Sequence, residues 1–398
     1  MNVAQDQTVT RTPELELDEL LSETPADAAR RAESRFSIGD GDALALYGAG
    51  YLGRQVLARL RSVGVEPVAF ADDTPAKQGT SIDGLQVLAP RNFAERFGPH
   101  AVFAVTVFNP AASYLRIKRQ LQAQIDARVV SLLELAWKYH DIFLPHYQFE
   151  LPQNILEKAR NIRRAFRVFA DEESSRQFVA HLRFRLHLDF EALPSSNYGD
   201  YFPADVVPEL GADTTFVDCG AFDGDTVRRF IEQQRGRFRE IYAFEPDAEN
   251  FRRLAEYVSR LGSEATDRIH LFRAAVGGRR ARMRFSSSAG MASALSDAGA
   301  AEVDVIPVQQ VVSAREDGVL FLKFDVEGGE AAALEGAAGL INARSIVAVC
   351  VYHRPDDLWE LPLKLRALAP THNLFLRTQG EDGMDVVCYA VPDFGFGS

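Results

Sequence analysis

The chain has 398 residues, 46% of them hydrophobic, and a formal charge of −12 at pH 7. That length exceeds an ordinary single domain and implies two or three. The acidic balance excludes a nucleic-acid surface built of clustered Lys and Arg, and disfavours adhesion to anionic lipid. The three cysteines, Cys219, Cys350 and Cys388, fall inside apolar runs with no CxxC or Cys/His cluster. No zinc site is legible, and buried thiols in a reducing cytoplasm are expected. The N-terminus lacks a basic-then-apolar signal and no apolar run reaches membrane-spanning length, so the expectation is a cytoplasmic enzyme without a membrane span.

In chain order, residues 1–41 are polar and acidic around TPELELDELLSETPADAARRAE. A short amphipathic helix fits there, but nothing in it promises a core, and a flexible segment is expected. Residues 42–135 predict a Rossmann-like domain. ALALYGAG is a strand entering a turn, YLGRQVLARLRSVG a helix closing on Gly64, VEPVAFADD a second strand, HAVFAVTVF a third, then a helical stretch from Pro110 to Ile125 and a last strand, ARVVSLLEL. Residues 136–205 place apolar side chains at three- and four-residue spacing in NILEKARNIRRAFRVFA and EESSRQFVAHLRFRLHLDFEAL, which predicts a helical connector. Residues 206–398 form a second α/β domain. Its strands are expected at TFVDC, EIYAFE, RIHLFRAAV, ARMRFSS, VDVIPV, VLFLKFDV, SIVAVCVYH, HNLFLRT and DVVCYAVP, the last two as an antiparallel hairpin.

Two glycine-rich turns follow strands. The first, Gly48, Gly50 and Gly53 in LYGAGYLG, fits GxGxxG, with Asp72 and Asp73 where a ribose-binding acid belongs. The same pattern is also compatible with packing alone. The stretch VAFADDTPAKQGTSIDGLQVL resembles the small N-terminal domain of bacterial sugar acetyltransferases, which implies binding of a nucleotide or nucleotide-sugar.

The second turn, FVDCGAFDGDT, is DxGxxxG, with Asp218, Gly220 and Gly224 and with Asp223 and Asp225 crowding it. Carboxylates repel a pyrophosphate near a helix N-terminus but suit a ligand with an ammonium and a sulfonium, a description that S-adenosylmethionine meets. Glu245, ending the next strand, can accept from both ribose hydroxyls. Helix caps and solvated turn residues are the plainer reading of each acid taken singly.

FVDCGAFDGDT, YAFEPDAEN, FLKFDVEGGE and VYHRPDDLWELPLKL occur in the order found in the FkbM family of S-adenosylmethionine-dependent methyltransferases, which residues 200–390 resemble. The resemblance implies a class I methyltransferase sheet and methyl transfer to a hydroxyl, on a sugar, glycan or glycosylated natural product. It implies that Asp218, Gly220, Phe222, Asp223, Gly224 and Thr226 hold the methionine end, Glu245 the ribose, and Pro246, Asp247 and Asn250 the adenosine. Ala274, Ala275 and Ser293 match segments on the adenine side. Val312 and Thr378 depart from the pattern, where relatives often carry an acid and a polar ring.

For the chemistry, the candidates are Lys323, Asp325 and Glu327 on or beyond one strand and His353 at the end of the next. One reading makes His353 the general base, oriented by Asp325 or Glu327. Another has Asp325 and Glu327 bind Mg²⁺. Glu327 also reads as a helix-start acid. Asp356, Asp357, Trp359 and Glu360 read as sugar-binding groups or as a helix cap with an inward Trp. Tyr198 and Tyr201 are placed to close over the site. The expected partner is a sugar or small-molecule acceptor, and self-association stays open. The rivals are a nicotinamide-dependent oxidoreductase using LYGAGYLG and a non-catalytic nucleotide-sugar-binding protein.

Overall fold

The computed structural model describes residues 11–39, 41–109, 111–195, 201–286, 294–295, 301–312 and 317–393. The chain forms two compact units. One comprises Met1–Arg163, Ser175–Ser195 and Glu381–Gly383, the other Arg164–Ser174, Ser196–Gly380 and Met384–Ser398. Among the described residues, no helix is long and apolar enough to cross a membrane.

In the first unit, β1 (Ala43–Tyr47), β2 (Ala69–Ala71), β3 (Ser81–Ile82), β4 (Leu85–Leu88), β5 (Ala101–Val105) and β6 (Arg128–Ser131) make a six-stranded sheet in the order β3-β4-β2-β1-β5-β6. All its pairings are parallel except β3 with β4. Ala43, Ala45 and Tyr47 of β1 enter one apolar cluster, and Leu44 and Leu46 another, so both sheet faces are covered. The β3–β4 hairpin is absent from the sequence reading, although Asp83-Gly84, both at positive φ, is a strong two-residue hairpin signal. The helix Leu132–Lys138 starts where ARVVSLLEL was read as strand, because Ser131 and Glu134 form a capping box.

The N-terminal segment corrects the expectation that it builds no core. Its helices Pro13–Leu20 and Pro25–Arg35 bury Leu17, Leu20, Ala28 and Ala32, and Ala32 and the following Phe36 join the two sheet-face clusters. Small residues four apart give a helix a buried stripe without raising its hydropathy, which hides the signal. Nor does 136–205 stand apart as a connector. Residues 136–163 and 175–195 lie in the first unit, where Trp137, Phe184 and Phe190 are core, and 164–174 lie in the second.

The second unit carries β7 (Thr215–Cys219), β8 (Glu240–Phe244), β9 (Ile269–Phe272), β10 (Ala275–Val276), β11 (Ala281–Ser286), β12 (Ala294–Leu295), β13 (Ala301–Ile306), β14 (Leu320–Phe324), β15 (Ser345–Cys350), β16 (Asn373–Thr378) and β17 (Val386–Val391). Seven of them form a sheet ordered β16-β17-β15-β14-β7-β8-β9, and β10-β13-β11-β12 form a small second sheet. The large sheet is parallel except for β17, antiparallel to both of its neighbours. This is the expected methyltransferase-type α/β sheet. RIHLFRAAV, read as one strand, is split between the two sheets at Arg273-Ala274. A cluster of Phe202, Phe216, Phe230 and Phe321 rings packs one face of β7 and β14. Strand order reverses between β7 and β14, so a crevice opens beyond their carboxyl ends.

Candidate active site

The turn after β7 is tied to its neighbours through its own amides. Gly220 and Ala221 N–H both donate to the Phe244 carbonyl, Gly224 N–H to the Ala221 carbonyl, and Phe222 N–H to Glu245 Oε2 at 2.9 Å. These amides already have protein acceptors and do not form a phosphate cradle. Ligand recognition passes to side chains and carbonyls, as the excess of acids suggests. Phe222 itself takes a positive φ of 46°, uncommon for a bulky residue and found where the surroundings over-determine the backbone. Gly224, in the left-handed region, precedes the helix Asp225–Gln233. Asp225 there accepts from Thr226 N–H, Thr226 is buried, and Asp223 is half-buried at the turn.

Glu245, buried at the end of β8, accepts Phe222 N–H on Oε2 and Asp247 N–H on Oε1 at 2.8 Å. Burial pushes its carboxyl up to about 7, against the pull of those two amides. Of the four acceptor positions of the carboxylate, these amides take two and the Asn250 side chain a third, which leaves one for a ligand hydroxyl. Asp247 caps the helix Ala248–Ser259 by accepting from Glu249 and Asn250 N–H, and Asn250 also bonds Glu245. Pro246 holds the half-buried bend between them. Ala274 and Ala275 are buried next to β9, and Ser293 and Tyr198 lie outside the described residues.

Asp218 and Lys323 face each other across β7 and β14 in direct register. Lys323 Nζ donates to Asp218 Oδ1 at 2.8 Å and to the Gly220 carbonyl at 2.9 Å, lies 3.9 Å from Asp325 Oδ2, and sits 4.9 Å over the Tyr201 ring. Burial alone would strip its charge, but Asp218 and Asp325 outweigh it and raise its pKa. Lys323 is thus a fixed cation tying the β7 turn to β14, not a proton acceptor. Asp218 is fully buried, and its Oδ2 has no hydrogen-bond partner among the described residues.

Asp325 receives the Tyr201 hydroxyl on Oδ2 at 2.9 Å, and His353 Nε2 lies 3.3 Å from Oδ1. Burial opposes its charge, while Lys323 and His353 hold its carboxyl below the usual value. His353 Nε2 is also 3.7 Å from Glu327 Oε2, and Nδ1 is 2.8 Å from Glu330 Oε1. Burial works against the imidazolium, but Glu330, Glu327 and Asp325 together raise His353 to about 10. An imidazole held protonated does not accept a proton at neutral pH, which weighs against the reading of His353 as general base. Burial, partly relieved by His353, raises Glu327 to about 8. Glu327 also has a left-handed backbone, with φ 53°.

Two members of this cluster were missed from sequence. Glu330 opens the helix Glu330–Ala337 and accepts from Val326 and Gly328 N–H, so it does the helix-start work that had been read onto Glu327. Its signal was its place as the last acid of EGGE. Asp385 precedes β17, bonds Tyr352, and is raised to about 6 by burial and by Asp325. Nothing local marks it. Farther along, Trp359 is fully buried and Asp357 accepts Arg354 N–H, so the sugar-stacking reading of PDDLWEL gives way to core packing and a bond to the preceding turn, and the N-cap residue Asp356 makes no side-chain cap bond.

The Mg²⁺ reading does not fit. Among the described residues no three His, Cys, Asp or Glu side chains converge as a metal site. Both Asp325 oxygens already face donors, and a fixed ammonium lies 3.9 Å away.

In the first unit, Asp72 accepts Ala49 N–H, Thr74 N–H and Lys77 Nζ, each at 2.9 Å, and these bonds outweigh burial to hold it down at about 2. It is engaged by its own loop, not presented to a ribose. The Tyr47 hydroxyl donates to Asp73. A Cβ on Gly53 would sit 2.0 Å from the Gly48 carbonyl oxygen, so that glycine serves helix–strand packing. These bonds favour the packing reading of LYGAGYLG and weaken the oxidoreductase rival.

Comparison with known proteins bears on the second unit. The family model described as the methyltransferase FkbM domain matches residues 218–376. These residues are an FkbM methyltransferase domain. The match runs from within β7 to within β16 and includes every charged side chain of the second unit described above except Asp385. The crystal structure of the methyltransferase FkbM from Methylobacillus flagellatus KT is similar over 95% of this chain and 100% of that one, at TM-score 0.75 and 20% identity, a likeness of fold. A putative rRNA-methylase from Clostridium thermocellum overlaps 46% of this chain and 88% of its own, at 11% identity and TM-score 0.30. UDP-D-quinovosamine 4-dehydrogenase from Vibrio fischeri overlaps 24% of this chain and 83% of its own, at 23% identity and TM-score 0.19. Neither overlap is close enough to bear on function. No curated protein matches. The match supports a methyltransferase.

The raised groups set a pH dependence of stability. Glu245 and Glu327 are raised above their ordinary 4.5, so each contributes stability that is complete below that value and lost as pH rises through about 7 and about 8. His353, raised from 6.5 to about 10, acts in the same direction. Asp325 and Asp72 are lowered and stay ionised throughout this window. The cofactor-free protein is therefore expected to melt at a lower temperature at about pH 8.5 than at about pH 6, as thermal scans in the two buffers would read. A rising melting temperature would contradict these assignments.

Proposed function

We propose that this protein transfers a methyl group from S-adenosylmethionine to a hydroxyl of a sugar, glycan or glycosylated small molecule. The observation that carries this reading is the FkbM-domain match over residues 218–376, which takes in the acidic turn after β7 and the cluster of Asp325, Glu327 and His353 beyond β14 and β15. Burial raises the Glu327 carboxyl to about 8. A base is most useful when its pKa lies near the working pH.

The cofactor supplies the electrophilic methyl carbon on a sulfonium. The residues suit it: the free Asp218 Oδ2 lies by the turn, Glu245 keeps an acceptor position for a ribose hydroxyl, and the surrounding acids favour a cation. Phe222, Asp223, Gly224 and Thr226 would border the methionine end, and Pro246, Asp247, Asn250, Ala274 and Ala275 the adenosine. On transfer the acceptor oxygen would gain the methyl as the carbon–sulfur bond breaks and the thioether leaves, and its proton would pass to Glu327 in its ionised form, which a pKa of about 8 makes more abundant at mildly alkaline than at neutral pH. Asp325, held by Tyr201, Lys323 and His353, would orient the hydroxyl. Such positioning of oxygen against carbon can supply most of the acceleration.

Calorimetry with S-adenosylmethionine, S-adenosylhomocysteine and NAD tests the cofactor. The first two are expected to bind and NAD not to, and Glu245→Gln is expected to weaken them about tenfold or more, since one charged acceptor contributes about 1.5–3 kcal/mol. Methyl-labelled cofactor incubated with neutral and amino sugars should then give an alkali-stable ether. Binding of NAD alone, or label found only on nitrogen or as an ester, would sink the reading.

A further inference from the structure

Glu330 stands where three separate pieces of the site meet. Its side chain is 1% exposed, and Oε1 accepts Val326 N–H at 2.9 Å and Gly328 N–H at 3.3 Å. These two bonds close the backbone around Glu327, which sits between them in its left-handed conformation. The same oxygen faces His353 Nδ1 at 2.8 Å.

That geometry settles where the histidine proton lies. An oxygen already accepting from two amides carries no hydrogen of its own, so Nδ1 must be the donor. Nε2, at the far side of the ring, faces Asp325 Oδ1 at 3.3 Å and Glu327 Oε2 at 3.7 Å. Contact with two acids on that edge favours a second proton, and the ring becomes an imidazolium.

The other titratable and charged groups around the ring point the same way. Asp357, on the helix Asp357–Leu368, and Asp385, before β17, interact with His353, whereas Lys323 lies on the far side of Asp325. A neutral ring would leave this group of acids with Lys323 and Arg354 as its nearby cations.

We propose that Glu330 is a positioning residue for methyl transfer: it holds His353 as a cation aimed at Asp325 and Glu327, and folds residues 326–328 so that Glu327 faces that cation. The inference rests on the methyltransferase reading of this site and adds to it a division of labour. The carboxylates handle the acceptor's proton, His353 tunes them, and Glu330 fixes His353 without touching the acceptor.

The test uses the full chain with uniformly ¹⁵N-labelled histidine. One of the eight histidines is assigned to His353 by its loss in His353→Gln. In the wild type at neutral pH, both ring nitrogens of His353 are expected to carry protons. Glu330→Gln keeps the length and an amide oxygen for Val326 and Gly328 but removes the charge. It is expected to bind S-adenosylhomocysteine within about threefold of wild type, and to show His353 mostly neutral. A neutral wild-type ring, or a ring still doubly protonated in Glu330→Gln, overturns the proposal. Should that variant fail to fold, the wild-type spectrum decides by the same criterion. Absence of S-adenosylhomocysteine binding by the wild type would defeat the methyltransferase reading, and the ring spectra would still report on Glu330.

Discussion

Gly220→Ala is expected to abolish methyl transfer and to unfold the second unit at a much lower temperature. Gly220 has φ 89°, where an alanine costs about 1–2 kcal/mol by itself. Its Cβ would also lie 1.8 Å from the Asp325 carbonyl oxygen and 2.9 Å from the carbonyl carbon, inside any real contact distance. Neither side can yield freely. Gly220 N–H is bonded to Phe244, and Asp325 N–H to the Cys219 carbonyl at 3.0 Å. Relief requires moving the Asp325 backbone away from β7, and with it the Asp325 carboxylate and the Glu327 loop. A total cost of about 4 kcal/mol or more is expected, which for a unit of this size lowers the melting temperature by about 10 °C or more. Gly236→Ala is the control. It has φ 74° with nothing within 4 Å of the new Cβ, so only the backbone term applies and a loss of a few degrees is expected. Equal melting shifts for the two variants would show that the close approach of β7 and β14 is not what Gly220 protects.

Lys323→Met is the second large effect. The ammonium is almost wholly buried and is the one basic side chain bonded to Asp218 among the described residues. Its removal leaves Asp218 as an uncompensated buried carboxylate, for which about 3–5 kcal/mol is typical. Asp218→Asn in the same chain removes that charge and should recover most of the melting temperature. It should not recover turnover, because Asp325 has also lost one of its two flanking cations, the ammonium 3.9 Å from Oδ2. Thermal melts of the single and double variants separate the two roles of Lys323. A double variant as active as wild type would confine the lysine to stability.

The chemistry-bearing positions were legible in the sequence to the extent that they depend on local signals. Asp218, Glu245 and Asp325 end apolar runs of strand length, and a strand followed directly by a helix carries its last side chains to the carboxyl edge whatever the rest of the fold does. Gly220 was legible for the same reason, since a turn of that sharpness calls for glycine. The α/β class and the closing antiparallel hairpin followed from the strand and helix signals, and the methyltransferase-type sheet from the resemblance to the FkbM family. Where prediction and structure part, the cause is a weak or absent local signal. Ala28 and Ala32 form a buried stripe too small to register, and β3 is two residues long.

By itself, the sequence determined which residues could do chemistry and at which end of which strand they stand, because periodicity, caps and glycines act within a few residues. Only the tertiary structure decided their partners and therefore their charge. Lys323 meets Asp218 across 105 positions of chain, Tyr201 meets Asp325 across 124, and Glu330 meets His353 across 23. Those meetings depend on strand register and on which neighbours exclude water. They surround Lys323 and His353, the latter read as a base, with carboxylates that favour their charged forms, while burial raises Glu327, which also read as a helix-start acid.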